Sequence, residues 1–141
     1  MNIRLAQIST EPLDVDAHRA AVVDPRMGAE ITFVGLVRDN DEDAATPVVA
    51  LEYTSHPDAE KTLRELCAEA IGDTDAIVAA SHRIGRLEVG ETAVIVAVAA
   101  GHRGVAYDVS RTLIEAIKHR LPIWKRQVES GGATVWKGLG G

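Results

Sequence analysis

From Thr92 to Ala100 the chain reads TAVIVAVAA, a run without charge and without alternation of polar and apolar residues. A strand with one face in water alternates, so a run that is apolar at almost every position predicts a strand covered on both faces. The residues beyond it narrow the fold further. Gly101 ends the strand, and Val105, Val109, Leu113 and Ile117 recur every four residues as the stripe of a helix reaching about Leu121. Pro122 terminates that helix, because proline lacks the N–H and clashes with the preceding turn.

The remaining elements arrange themselves around this core. Asn2 to Ile8 alternates Ile3, Leu5 and Gln7 against Asn2, Arg4 and Ala6, a short strand. Asp14 or Asp16 caps a short helix through Val23, closed at Asp24-Pro25 because the residue before proline avoids the helical region. Ala29 to Val37 is rich in β-forming residues and predicts a strand, with Arg38 where it gives out. The acidic segment 39–47 (DNDEDAATP) reads as a mobile surface loop, and Val48 to Thr54 as a strand pairing with the previous one in a hairpin.

From Pro57 to Ile71 the pattern turns helical, with Ala59, Leu63, Leu66, Cys67, Ala70 and Ile71 on one face and Gly72 as the stop. Ala76 to Ile84 is a β-type run, joined to the Glu91 to Ala100 run by turn-like residues 85–90. After Pro122 come a short strand from Ile123 to Val128, a turn at Ser130-Gly131-Gly132 and a last strand from Ala133 to Trp136. The order β-α-β-β-α-β-β-α-β-β predicts an α+β domain with a partly parallel sheet. At 141 residues the expectation is one domain, 1–141, with 138–141 a flexible tail.

Charge singles out Gly101 to Arg126. Arg103, Arg111, Lys118, Arg120, Lys125 and Arg126 stand there against Asp108 and Glu115, a formal +4 in a chain of −6, so the rest carries −10. A local reversal of sign that strong, with two histidines added, predicts a pocket for a compact anion. General nucleic-acid binding is excluded as an expectation, because tracking phosphates takes a broad basic surface rather than one patch. No apolar run is long enough for a signal peptide or a membrane span, so the protein is expected in the cytoplasm and off the membrane. The single Cys67 cannot form an internal disulfide, and no Cys/His cluster has zinc spacing; neither metal nor cofactor is expected.

Within the basic segment Lys118 falls on the last helical turn, about 100° from Ile117 in the stripe, and Lys125 lies beyond the break at Pro122. Two readings stand. Cations near a helix C-terminus satisfy the dipole; alternatively two amines converge on one cavity from a helix end and a strand. In a cavity, crowded cations and desolvation lower a lysine pKa, and a lysine of pKa about 8 is roughly 10% neutral at pH 7, able to take a proton or attack.

Gly101-His102-Arg103-Gly104 opens the helix, where free N–H groups favour an anion and Arg103 can grip a phosphate; a plain strand-to-helix turn is the alternative. Arg38 either joins that site or is a terminal exposed arginine. His82-Arg83, inside a strand, reads as structural or interfacial, and Cys67 as a buried inert thiol. Trp124 and Trp136 pack the sheet or an interface, or border a flat ring.

The ordered set GAEITFVGLVRD, LEYTSHP, SHRIGRLEVGE, VAAGHRGVAYDVS and IEAIKHRLPIWKR, running from Gly28 to Trp136, resembles the large, catalytic subunit of molybdopterin synthase. The ordered set, especially the K-x6-K pair spanning PIWK, is far more specific than any one piece. The resemblance implies an α/β hammerhead-type domain with an additional antiparallel β subdomain, as a homodimer within a heterotetramer. The implied partner is a ubiquitin-like small subunit whose C-terminal Gly-Gly carries a thiocarboxylate. The implied reaction is sulfur transfer to cyclic pyranopterin monophosphate, forming the molybdopterin dithiolene of molybdenum cofactor biosynthesis. By position, Lys118 and Lys125 are the implied catalytic residues, and Arg38, His102 and Arg103 bind substrate.

The pattern departs from the family at Gln127, where an acidic residue is common, and in a short tail that leaves Lys137 as the last cation. The terminal Gly140-Gly141 resembles the partner's tail, which makes occupation of a neighbouring pocket a reading alongside a disordered end. A buried Cys67 cannot carry the sulfur, so sulfur must arrive on a partner. A silent binding module using the same cationic pocket is the rival function.

Overall fold

A computed structural model describes residues 2–41 and 44–137, and the expectations for 138–141, including Gly140-Gly141, lie outside the described residues. The elements are β1 (Ile3–Ser9), α1 (Val15–Ala21), β2 (Ala29–Leu36), β3 (Val48–Ser55), α2 (Ala59–Ile71), β4 (Ile77–Arg83), β5 (Gly85–Glu88), β6 (Thr92–Ala100), α3 (Arg103–Arg120), β7 (Ile123–Glu129) and β8 (Thr134–Lys137). The result is an α+β architecture with two four-stranded sheets.

The first sheet has the order β1-β4-β6-β2, with β1 parallel to β4 and the other pairs antiparallel. β6 lies inside it, and its period of two divides the core. Val96, Val98 and Ala100 face the main cluster with α2 and α3, while Ala97 and Ala99 face a smaller one with Val22 at the end of α1. The uniformly apolar run is thus covered on both faces. The second sheet, β5-β3-β7-β8, is antiparallel throughout and closes a third cluster around Val48, Leu51 and Leu87.

Both long helices present the faces their stripes predict. α2 buries Ala59, Leu63, Leu66, Cys67 and Ile71, and ends at Gly72, whose φ of 51° suits glycine and whose N–H reaches the Ala68 carbonyl. α3 buries Val109, Leu113 and Ile117. Each such fully buried leucine contributes about 2 kcal/mol by leaving water. α1 is capped by the Asp14 side chain, which accepts from the Ala17 N–H.

Three expectations need correction. β2 and β3 form no hairpin; β2 pairs with β6 and β3 with β5 and β7, so the chain changes sheets between them. Residues 85–88, read as part of a turn, form β5, which pairs with β3 from Tyr53↔Gly85 to Ala50↔Glu88. The described part of segment 39–47 is tied down rather than loose. The Glu129 carboxylate, 3% exposed, accepts from the Ala45 N–H, the Thr46 N–H and the Thr46 hydroxyl, and Gln127 Nε2 donates to Asp41. Among the described residues no helix is long and apolar enough to cross a membrane, and no group of His, Cys, Asp and Glu is placed to hold a metal.

Candidate active site

The end of α3 and the start of β7 are joined by only two residues. Leu121 leaves the helical region (φ −70°, ψ 124°) while its N–H still donates to the Ile117 carbonyl. Pro122 then cannot extend the helix, and its carbonyl accepts from the His56 N–H at 3.0 Å. β7 begins at Ile123. Ile117 is drawn into the core, so Lys118, the next residue, emerges exposed beside the buried face. Lys125 is half-buried on β7, directly opposite Tyr53 of β3.

Both lysines line one cavity of about 260 Å³. Its walls come from both sheets and from α3: Ile114, Ile117, Val94 and Val96 supply apolar surface, and Tyr53 and His82 the other polar groups. Among the described residues no carboxylate lines it, and the charged side chains that do are two cations in an acidic protein. Burial pushes the Tyr53 phenol up to about 12, which keeps it protonated. Burial likewise pushes His82 down to about 4; the Arg83 carbonyl opposes that shift and the Lys125 charge adds to it. The Tyr53 and His82 rings meet edge-on, 5.0 Å between centroids and 71° between planes.

Arg38, His102 and Arg103 do not line this cavity. Arg38 is exposed two residues beyond Leu36, which does line it. His102 is the N-cap of α3 and Arg103 its first residue, both exposed, with no acidic side chain in the first turn. Lys118 lies fifteen residues further along the same helix, about 22 Å away along its axis. The single anion pocket expected from Gly101 to Arg126 is therefore two places within one protomer. The glycine reading of this turn also changes. The Gly101 N–H is occupied by the Asp75 carboxylate at 3.0 Å, and a Cβ on Gly101 would stand 2.6 Å from that oxygen. Gly101 makes room for Asp75.

Cys67 is fully buried, and burial pushes its thiol up to about 12, as an inert core residue requires. Trp136 is 60% exposed and lies under the Arg126 guanidinium, 5.6 Å from its carbon; Arg126 also donates through both Nε and an Nη to Glu52. Gln127 is buried. Lys137, in β8, is the register partner of Lys125. Sequence reasoning missed Tyr53 and His82 as cavity residues. The signal for His82 was its phase with Val78 and Ala80 on β4, the face that α2 and α3 cover.

The family described as "MoaE protein" matches residues 8–120 of this chain. Molybdopterin synthase catalytic subunit 1 of Mycobacterium tuberculosis is 37% identical over 134 residues, 94% of this chain and 89% of that protein. The chain belongs to the molybdopterin synthase catalytic subunit family. Family membership makes it a sulfurtransferase subunit of molybdenum cofactor biosynthesis. Among solved structures, molybdopterin synthase from Staphylococcus aureus superposes with a TM-score of 0.85 at 33% identity, covering 93% of this chain and 95% of that one. The same fold, at 21% identity and a TM-score of 0.72, occurs in the Helicobacter pylori complex of subunits 1 and 2 of molybdopterin-converting factor, over 96% of this chain and 90% of that one. The matched family region includes Lys118, Arg38, His102 and Arg103, and ends before Lys125.

Proposed function

We propose that the cavity between α3 and β7 is where sulfur passes from the C-terminal thiocarboxylate of a ubiquitin-like small subunit to cyclic pyranopterin monophosphate, building the molybdopterin dithiolene. The observation that carries this reading is the convergence of Lys118 and Lys125 on one 260 Å³ cavity whose described lining holds no carboxylate. The thiocarboxylate and the substrate phosphate are both anions, and two cations on one cavity concentrate both. When the sulfur attacks the pterin side chain, one lysine exchanges the proton and the other stabilises charge developing on oxygen. The inert Cys67 fits a reaction in which the sulfur is brought by the partner.

His102 and Arg103 belong to this reading as binders of substrate anions, and their distance from Lys118 sets a condition. In a homodimer within a heterotetramer, the N-terminus of the partner's α3 would bring a second His102–Arg103 turn to the cavity, and Arg38 would stand at its edge beyond Leu36. A cytoplasmic setting accompanies this assignment.

The test mixes purified protein with thiocarboxylated small subunit and the cyclic pterin, and assays molybdopterin. Lys118→Ala is expected to lower turnover by about 10²-fold or more while small-subunit affinity holds. Undiminished dithiolene formation in that variant removes Lys118 from the mechanism. Absence of product from the unmodified protein, with a small subunit proven active beside another catalytic subunit, refutes the assignment.

A further inference from the structure

The chain leaves the first sheet after Leu36 and enters the second at Val48, and Arg38 stands near the start of that crossing. The crossing is bonded to β7, the strand that carries Lys125. Period two puts Ile123, Lys125, Gln127 and Glu129 on one face of β7, and the first two line the lysine cavity. The other two are 2% and 3% exposed, and both reach the crossing.

Their bonds follow one order. Gln127 Nε2 donates to the Asp41 carboxylate at 2.9 Å; a carboxylate only accepts, so the amide nitrogen is the end that faces it. Glu129 Oε1 accepts from the Ala45 N–H, the Thr46 N–H and the Thr46 hydroxyl at 3.0–3.1 Å. Between Asp41 and Thr46 the chain therefore passes from Gln127 to Glu129, away from Lys125. Followed backwards, the same order carries Arg38 toward Lys125 and the cavity, whose lining includes Leu36. The neighbours of Arg38 are also anchored: the Val37 N–H donates to the Glu91 carbonyl, and the Asp39 carbonyl accepts from the Val48 N–H. Arg38 itself is exposed.

Packing alone does not call for an amide at 127. Its Oε1 is buried with no hydrogen-bond partner among the described residues, and its cross-strand partner is Leu51, part of an apolar cluster. An apolar side chain there would avoid burying an unsatisfied oxygen. The amide supplies direction instead, since it ties Asp41 to one place on β7. A glutamate of the same size would set a second carboxylate against Asp41.

We propose that Gln127 and Glu129 are positioning residues for Arg38: they clasp Asp41 and Ala45-Thr46 along the Lys125 face of β7, and so hold the Arg38 guanidinium at the cavity mouth for the phosphate of the substrate. This rests on the assignment of the lysine cavity as the reaction site and of Arg38 as a substrate binder. Neither residue touches substrate, so the effect falls on binding rather than on the chemical step.

Amide hydrogen exchange of the full chain, read by NMR, tests the clasp without turnover. Glu129→Leu is expected to speed exchange of the Ala45 and Thr46 amides about tenfold or more, with the amides of α3 unchanged. Glu129→Gln keeps an oxygen where Oε1 accepts and should stay within about threefold of the wild type. Unchanged exchange in Glu129→Leu overturns the clasp. Turnover with thiocarboxylated small subunit reads the consequence. Gln127→Glu is expected to raise KM for the cyclic pterin about tenfold, with kcat and small-subunit affinity within about twofold. Adding Asp41→Asn reverses the direction of the bond and should return KM to within about threefold of the wild type. In an Arg38→Ala background, itself raised in KM, Gln127→Glu should add nothing further. A KM unmoved by Gln127→Glu or by Arg38→Ala, an equal further rise in the Arg38→Ala background, or a loss confined to kcat overturns the positioning role. If the wild-type protein itself makes no molybdopterin, the functional assignment fails; exchange still decides the clasp, and an unchanged Kd of Gln127→Glu for the cyclic pterin, by calorimetry, overturns its link to Arg38.

Discussion

Replacing Ser81 by alanine tests the division of the β4 strand into two faces. Ser81 and His18 are 1% and 2% exposed, and their Oγ and Nε2 atoms are 2.6 Å apart. His18 Nδ1 lies 2.6 Å from the Asp14 carbonyl oxygen, so Nδ1 donates and the other nitrogen of the neutral ring accepts from the serine hydroxyl. Removing that hydroxyl leaves a buried acceptor without its donor, at about 1–3 kcal/mol. For a chain of this size that corresponds to a fall in Tm of about 3–12 °C. Urea unfolding followed by tryptophan fluorescence reads the change, with the m-value expected to be unaltered. The double variant with His18→Phe should recover about 1 kcal/mol or more of the summed single losses, because the orphaned acceptor disappears with the ring. Turnover at a temperature where the variant is folded should match the wild type, since this pair lies across the sheet from the lysines. A loss below about 0.5 kcal/mol, or a drop in kcat at unchanged stability, would refute the two-face argument.

Two buried titratable groups give further expected outcomes. The folded-state pKa of His82 lies near 4, below the 6.5 of an unperturbed histidine, so the unfolded chain binds more protons between those values. The stability this group contributes is complete above about pH 6.5 and is lost as pH falls toward 4, by up to about 3 kcal/mol; His82→Leu should flatten that part of the profile in chemical unfolding. Cys67, with its thiol pushed up to about 12, should resist a thiol reagent at pH 8 in the native protein and react at once in denaturant.

Local patterns told most where the physics is local. The buried strand at Thr92–Ala100, the stripe of α3 and its break at Pro122 all depend on neighbours within a few residues, and all stand as the pattern dictates. The partnering of strands depends on distant segments: β2 and β3 are consecutive yet join different sheets, because each finds its neighbours more than 30 residues downstream. β5 was hidden by the glycines at 85 and 90, whose positive φ values carry the turn signals on either side of a four-residue strand. The lysine pair was legible because one break converts a helix end and a strand start into converging arms. Tyr53 and His82 were not, since they reach the cavity from strands remote in sequence. The separation of Arg103 from Lys118 was implicit in the rise of a helix, but clustering along the chain concealed it.

The two-residue junction at Leu121-Pro122 also governs which changes of length the protein can absorb. One extra residue within α3 would turn Lys118 by about 100° relative to the stripe that fixes it, and one extra residue early in β7 would send Lys125 to the opposite side of its sheet. The His56 bond to the Pro122 carbonyl leaves no slack between them to take up such a shift. The interval of seven from Lys118 to Lys125 therefore behaves as a phase relation between two periodicities, tolerant of substitution and intolerant of insertion.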